Sequence, residues 1–179
     1  KTDTGYVSRV LDVLERDALI ERIPRGPVQR VAWEGLIKRW VDDYKVLRAN
    51  SSFSYLDPRE LSRLPSRFEK ITLRYAITGS FAASFATQIA PPRLLMAYVD
   101  DPATVSDSLS LRATSIGANV ILLRPFDPVV YDRSVQRDGV TYVAMSQLAA
   151  DLLTGPGRLP EEADEVLAWM RKNERFWRS

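Results

Sequence analysis

YAITGSFAAS, residues 75–84, is the stretch whose reading decides the fold. Tyr75 to Ile77 has the aromatic and β-branched character of a strand, Gly79-Ser80 makes a tight turn, and Phe81 to Ile89 continues as an apolar helix. A strand that passes through a glycine into a helix is a building unit of sheets covered by helices. The order recurs at DGVTYVAMSQLAADLLTGPGR, residues 138–158. There a short strand runs into a helix capped by Ser146, packed by Leu148, Leu152 and Leu153, and stopped at Gly155-Pro156-Gly157.

Working outward from 75–84, the patterning predicts helix 58–69, strand 72–78, helix 80–89, strand 93–99, helix 102–109, strands 119–124 and 140–143, helix 146–154 and a final helix from about Glu161. Asp57, Pro58 and Glu60 look like an N-cap, a first-turn proline and a capping-box acid. Asp101-Pro102 repeats the cap-and-proline signature. The last helix is acidic at its start and carries Arg171, Lys172 and Arg175 near its end, as the helix dipole favours. The expected class is mixed α/β (α+β), with residues 58–179 as one sheet domain and the serine-rich 46–57 as a linker.

Ahead of that linker, Val7, Val10, Leu11, Leu14 and Ala18 follow helical spacing, which predicts an amphipathic helix over about 5–17. LIERIPRGPVQRVAW then offers two short strands around a Pro24-Arg25-Gly26-Pro27 tip. Trp33, Leu36, Ile37, Trp40, Val41 and Tyr44 form one stripe of a closing helix. These elements set residues 1–45 apart as a small first domain. The chain opens on KTDTGYVSRV with no methionine, so the expectation is that its start lies downstream of a natural one and that part of an N-terminal motif is missing.

Composition narrows the chemistry. With no histidine and no cysteine, histidine-based triads, thiolate nucleophiles, disulfides and thiolate or imidazole zinc sites are excluded, and the cysteine count suits a reducing cytoplasm. Carboxylate, lysine and magnesium chemistry remain open. A net charge of +2 is too small to indicate nucleic acid by itself, so any such reading rests on where the arginines sit. No apolar run reaches the roughly 18 residues of a membrane span.

GYVSRVLDVLERDALIER and the arginine-tipped ribbon behind it resemble the recognition helix and wing of winged helix-turn-helix transcription factors, over about residues 2–45. The helices that precede the recognition helix in such domains are absent from this chain. The resemblance implies contacts to double-stranded DNA from Thr4, Tyr6, Ser8, Arg9 and Arg16 on the helix and from Arg22, Arg25 and Arg30 on the ribbon. Asp12, Glu15, Asp17 and Glu21 would repel phosphate and are expected to face the core side or the ends.

Gly79 and Ser80 are candidates for an anion or nucleotide site, because nucleotidyltransferases bind a triphosphate at a Gly-Ser turn of this kind. Those enzymes also need an Asp-x-Asp pair on the next strand to hold magnesium. Here that strand begins Arg93-Leu94-Leu95, and the adjacent Asp100 and Asp101 would point to opposite faces. No catalytic residue, metal or cofactor is therefore expected. YAITGSFAAS, RLLMAYVDDP, NVILLRPFDPVVYDR and SQLAADLLTGPGR together resemble the AbiEi-type bacterial transcriptional regulators and type IV antitoxins, which join a winged helix-turn-helix to a nucleotidyltransferase-like domain without catalytic acids. That resemblance implies DNA binding, repression of the protein's own operon and, in some members, opposition to a neighbouring toxin, and the larger domain is expected to contact a second copy or a protein partner. An active nucleotidyltransferase and a protein-interaction module without DNA binding stand as the competing readings.

Overall fold

A computed structural model describes residues 3–23, 26–87 and 90–178. The chain divides into two compact units, Lys1–Asp43 and Tyr44–Ser179. In the first, α1 (Thr4–Arg16) starts where the Asp3 carboxylate accepts the backbone N–H of Gly5 at 3.1 Å. It ends in a left-handed Ala18 (φ 56°), with the N–H of Leu19 donating to the Leu14 carbonyl at 2.8 Å and that of Ala18 to Glu15 at 3.0 Å. β1 (Ile20–Arg22) and β2 (Val28–Val31) pair antiparallel, with Ile20 opposite Val31 and Glu21 opposite Arg30. α2 (Trp33–Asp43) buries Trp33 and Ile37. The predicted helix, ribbon and closing helix are all present, but α2 stops at Asp43, and Tyr44 belongs to the second unit.

The second unit is the expected mixed α/β class. Its elements are α3 (Val46–Ala49), β3 (Ser51–Leu56), α4 (Leu64–Arg67), β4 (Tyr75–Thr78), α5 (Ser80–Ala83), β5 (Leu95–Val99), α6 (Pro102–Ser108), β6 (Arg112–Ala113), β7 (Val120–Arg124), β8 (Val135–Arg137), β9 (Val140–Tyr142), α7 (Met145–Thr154), α8 (Leu159–Lys172) and α9 (Glu174–Trp177). The strands form one sheet in the order β6-β3-β7-β5-β4-β9-β8. β5 runs parallel to β7 and antiparallel to β4, and β4 runs parallel to β9. Every residue of β4 and β5 is buried, so the centre of the sheet is covered on both faces, as continuous apolar strands require.

Three expectations need correction. Residues 46–57 are not a linker: they form α3 and β3, and β3 pairs with β7 from Ser51–Arg124 to Tyr55–Val120. Its serines fit because Ser51 to Ser54 are exposed, so that end of the strand needs no apolar face. The helix expected at 58–69 is instead a 3-10 turn at Leu61–Arg63, α4, and a second 3-10 turn at Phe68–Lys70. Asp57 turns inward rather than starting a long helix. Ser146 does not cap α7, whose N-cap is Ala144 with no side-chain hydrogen bond.

The cap at Asp101 stands, with its carboxylate accepting the N–H groups of Ala103 (3.0 Å) and Thr104 (3.4 Å). α7 lies in the core and α8 packs against it through Leu159, Ala163, Val166, Leu167 and Met170. Gly155 makes that turn possible. A Cβ there would lie 2.5 Å from Leu159 Cδ1 and 2.8 Å from the Asp151 carbonyl oxygen.

Candidate functional site

At 3.6 residues per turn, α1 splits into two arcs. Tyr6, Val7, Val10, Leu11, Val13 and Leu14 form one. Thr4, Ser8, Arg9, Asp12, Glu15 and Arg16 form the other. No residue of the helix is buried, and Tyr6, Val7, Val10 and Val13 are exposed apolar side chains. Thr4, Tyr6, Ser8, Arg9 and Arg16 are therefore all accessible, with Arg9 and Arg16 together on one edge of the polar arc.

The ribbon arginines differ from the expectation that they stand free for phosphate. Arg22 Nη2 lies 2.5 Å from Glu15 and 2.6 Å from Asp12, and its side chain is only 18% exposed. The Glu15 hydrogen bond, then that of Asp12, raises the guanidinium above its ordinary value and fixes its charge. These two carboxylates, expected to face the core side or the ends, are instead exposed on the polar arc and neutralise Arg22. Arg30 pairs with Glu21 at 2.8 Å across the ribbon, and Arg16 lies 3.5 Å from Asp17. Arg9 has no ion pair among the described residues. Arg25 lies outside the described residues.

In the second unit, Gly79 has φ 70° and ψ −153°, a combination that glycine alone adopts without strain. A Cβ there would meet Met96 atoms at an ordinary 3.6–3.8 Å, so backbone conformation, not a clash, demands the glycine. Ser80 is buried and opens a helix of four residues, where the sequence predicts one reaching 89; Gln88 and Ile89 lie outside the described residues. So short a helix sums few peptide dipoles and pulls weakly on an anion. β5 is Leu95-Met96-Ala97-Tyr98-Val99, and Asp100 pairs with Arg74 at 3.2 Å instead of facing the turn.

Three carboxylates are buried among the described residues, Asp57, Asp151 and Glu162, and the surroundings of the first two escaped the sequence reading. Asp57, its side chain fully buried, accepts from Arg59 Nε at 2.7 Å and Arg67 Nη1 at 2.5 Å. Burial works to raise this carboxyl, but its hydrogen bonds to Arg59 and the charges of Arg59 and Arg67 outweigh burial and hold it below the usual range. Both arginines also donate to the Leu109 carbonyl, so one acid ties the end of β3 to the end of α6.

Asp151, on α7, is fully buried with uncharged partners only: Tyr44 Oη (2.7 Å), Thr78 Oγ1 (2.7 Å), Tyr98 Oη (2.8 Å) and Gln147 Nε2 (2.8 Å). Asn50 Nδ2 reaches Tyr44 Oη at 3.3 Å. The signal was present in SQLAADLLT, where Gln147 and Asp151 stand four apart inside an apolar stripe and so share one helix face.

Compared with models of protein families, with characterised proteins and with solved structures, the chain finds no match.

Proposed function

We propose that the chain is a bacterial DNA-binding regulator acting in the cytoplasm, with residues 1–43 engaging double-stranded DNA and the sheet unit serving contact with a second copy or a protein partner such as a toxin. The observation that carries this reading is α1 itself. It is a helix with an accessible polar arc holding Arg9, which makes no ion pair among the described residues, followed at once by a two-stranded ribbon, in a unit of its own. A helix of that kind fits a major groove and a ribbon fits the flanking backbone. A non-catalytic role for the sheet unit is supported by the apolar side chains of β5 and by the engagement of Asp100 and Asp101 in an ion pair and a helix cap.

The test is titration of the full chain against a pool of random-sequence duplexes, and against those it selects, at several salt concentrations. Arg9→Ala is expected to cost about 1–3 kcal/mol against selected duplexes and little against random ones. Arg25→Ala is expected to weaken both alike and make the salt dependence shallower by roughly one unit. No salt-dependent affinity for any duplex would sink this reading. It would leave the protein-interaction module, which the exposed apolar arc of Tyr6, Val7, Val10 and Val13 favours.

A further inference from the structure

Tyr44 Oη, Tyr98 Oη and Asp151 Oδ1 form a closed triangle with edges of 2.8, 2.7 and 2.8 Å. Each edge has the length of an O–H···O hydrogen bond, so each needs a proton between its oxygens. Two phenols supply two protons. If one phenol donates to the other, it has none left for the carboxylate, and a bare oxygen pair would then face each other at contact distance. The third proton can come only from the carboxyl group. Thr78 Oγ1 satisfies the other carboxyl oxygen, Oδ2, at 2.7 Å, and Gln147 Nε2 donates to Oδ1 at 2.8 Å and lies 3.3 Å from both phenols.

We infer that Asp151 carries a proton on Oδ1 in this fold, and that losing it opens the triangle, making the hold of α7 on the Tyr44–Asn50 segment a pH-sensitive latch. That segment begins the second unit. It is tied to α7 by Tyr44 and by the Val46 N–H, which donates to Thr154 Oγ1 at 3.1 Å, while Asn50 Nδ2 braces it from within through the Val46 carbonyl at 2.8 Å. The groups that face Asp151 are Tyr44 from this segment, Thr78 from β4, Tyr98 from β5 and Gln147 from α7 itself; only the two phenols titrate. Burial is the largest cause raising both phenols, so they stay neutral throughout. Burial likewise pushes Asp151 up to about 6, against the opposing hydrogen bonds of Thr78, Tyr44, Tyr98 and Gln147.

The sign follows from linkage. A carboxyl whose folded value lies above its unfolded 3.8 binds more protons when folded, so its contribution is complete below the unfolded value and is lost as pH rises toward the folded one. Asp151→Asn keeps a neutral acceptor oxygen for Gln147 Nε2, which donates to Oδ1 at 2.8 Å in the native protein, and removes the titration. Urea unfolding of the full chain is compared for the two proteins between about pH 4 and pH 7. The folding constant of the native protein is expected to fall about a hundredfold relative to the Asn variant, up to tenfold for each unit within the window. Protection of the Val46 amide is expected to fall with it in the native protein alone.

A ratio constant within about threefold across that range overturns the inference. Should Asp151→Asn not fold, carbon NMR of the native carboxyl groups decides. One aspartate titrating near 6 or above is expected, and every aspartate titrating below about 5 overturns it.

Discussion

Replacing Asp57 with alanine should be among the costlier single changes in the sheet unit. The magnitude can be worked from its surroundings. Removing one partner of a fully buried ion pair costs about 3–5 kcal/mol, because the remaining charge stays desolvated. Here the charges left behind belong to Arg59 and Arg67, whose side chains are 48% and 27% exposed and keep the Leu109 carbonyl as an acceptor. They can rehydrate in part, so the expected loss is about 2–3 kcal/mol for Asp57→Ala, and roughly half that for Asp57→Asn, which keeps an acceptor oxygen. Exchange of the slowest amides of β5 and β7, measured against urea, reports on this unit alone.

The pH dependence has a definite sign. The folded carboxyl is held below its ordinary value, so its stabilisation is present above the unfolded value of 3.8 and is lost as pH falls through the folded one. The gap between native and Asp57→Ala should therefore close in strong acid. A gap of less than about 0.5 kcal/mol at pH 7, or one undiminished near pH 2, would refute the reasoning.

Gly155→Ala should destabilise the second unit by about 1–3 kcal/mol in the same assay, since its Cβ would press on the Asp151 carbonyl oxygen and on Leu159 in a packed turn; an unchanged midpoint would mean that the turn yields freely. Ala18→Gly should stabilise α1 by about 1 kcal/mol by relieving the left-handed conformation at its end, read as added helicity or a raised melting temperature.

Where apolar residues recur with a regular period or run continuously in the sequence, the elements were legible: α1, the ribbon, β5, β7, α7 and α8 all lie within a few residues of their expected places. β3 was not. Ser51 to Ser54 need no apolar face at their place in the sheet, and a polar strand without alternation looks like a linker. The region after Asp57 misled for a related reason. Asp, Pro and Glu at helix-start spacing are also what a carboxylate needs to bond its own backbone two residues on, and Asp57 does this with the Arg59 N–H at 3.1 Å. Which use prevails depends on Arg67, ten residues away, and no local pattern carries that information.

The arginines of the first unit teach the same lesson about the candidate interface. Counting Arg22 and Arg30 of the ribbon as DNA contacts treats each as a free charge, but Arg22 already holds two carboxylates of α1. To reach phosphate it would have to abandon Asp12 and Glu15 and leave both facing the same polyanion, which repels them. What the structure shows for Arg22 is a brace between α1 and β1 that neutralises Asp12 and Glu15. Arg30 and Arg16 have single, exposed pairs, which are worth little and exchange easily. Arg9 has no ion pair to give up among the described residues. On the DNA-binding reading proposed above, contact therefore rests on Arg9 and Arg16, which share one edge of α1, rather than on Arg22.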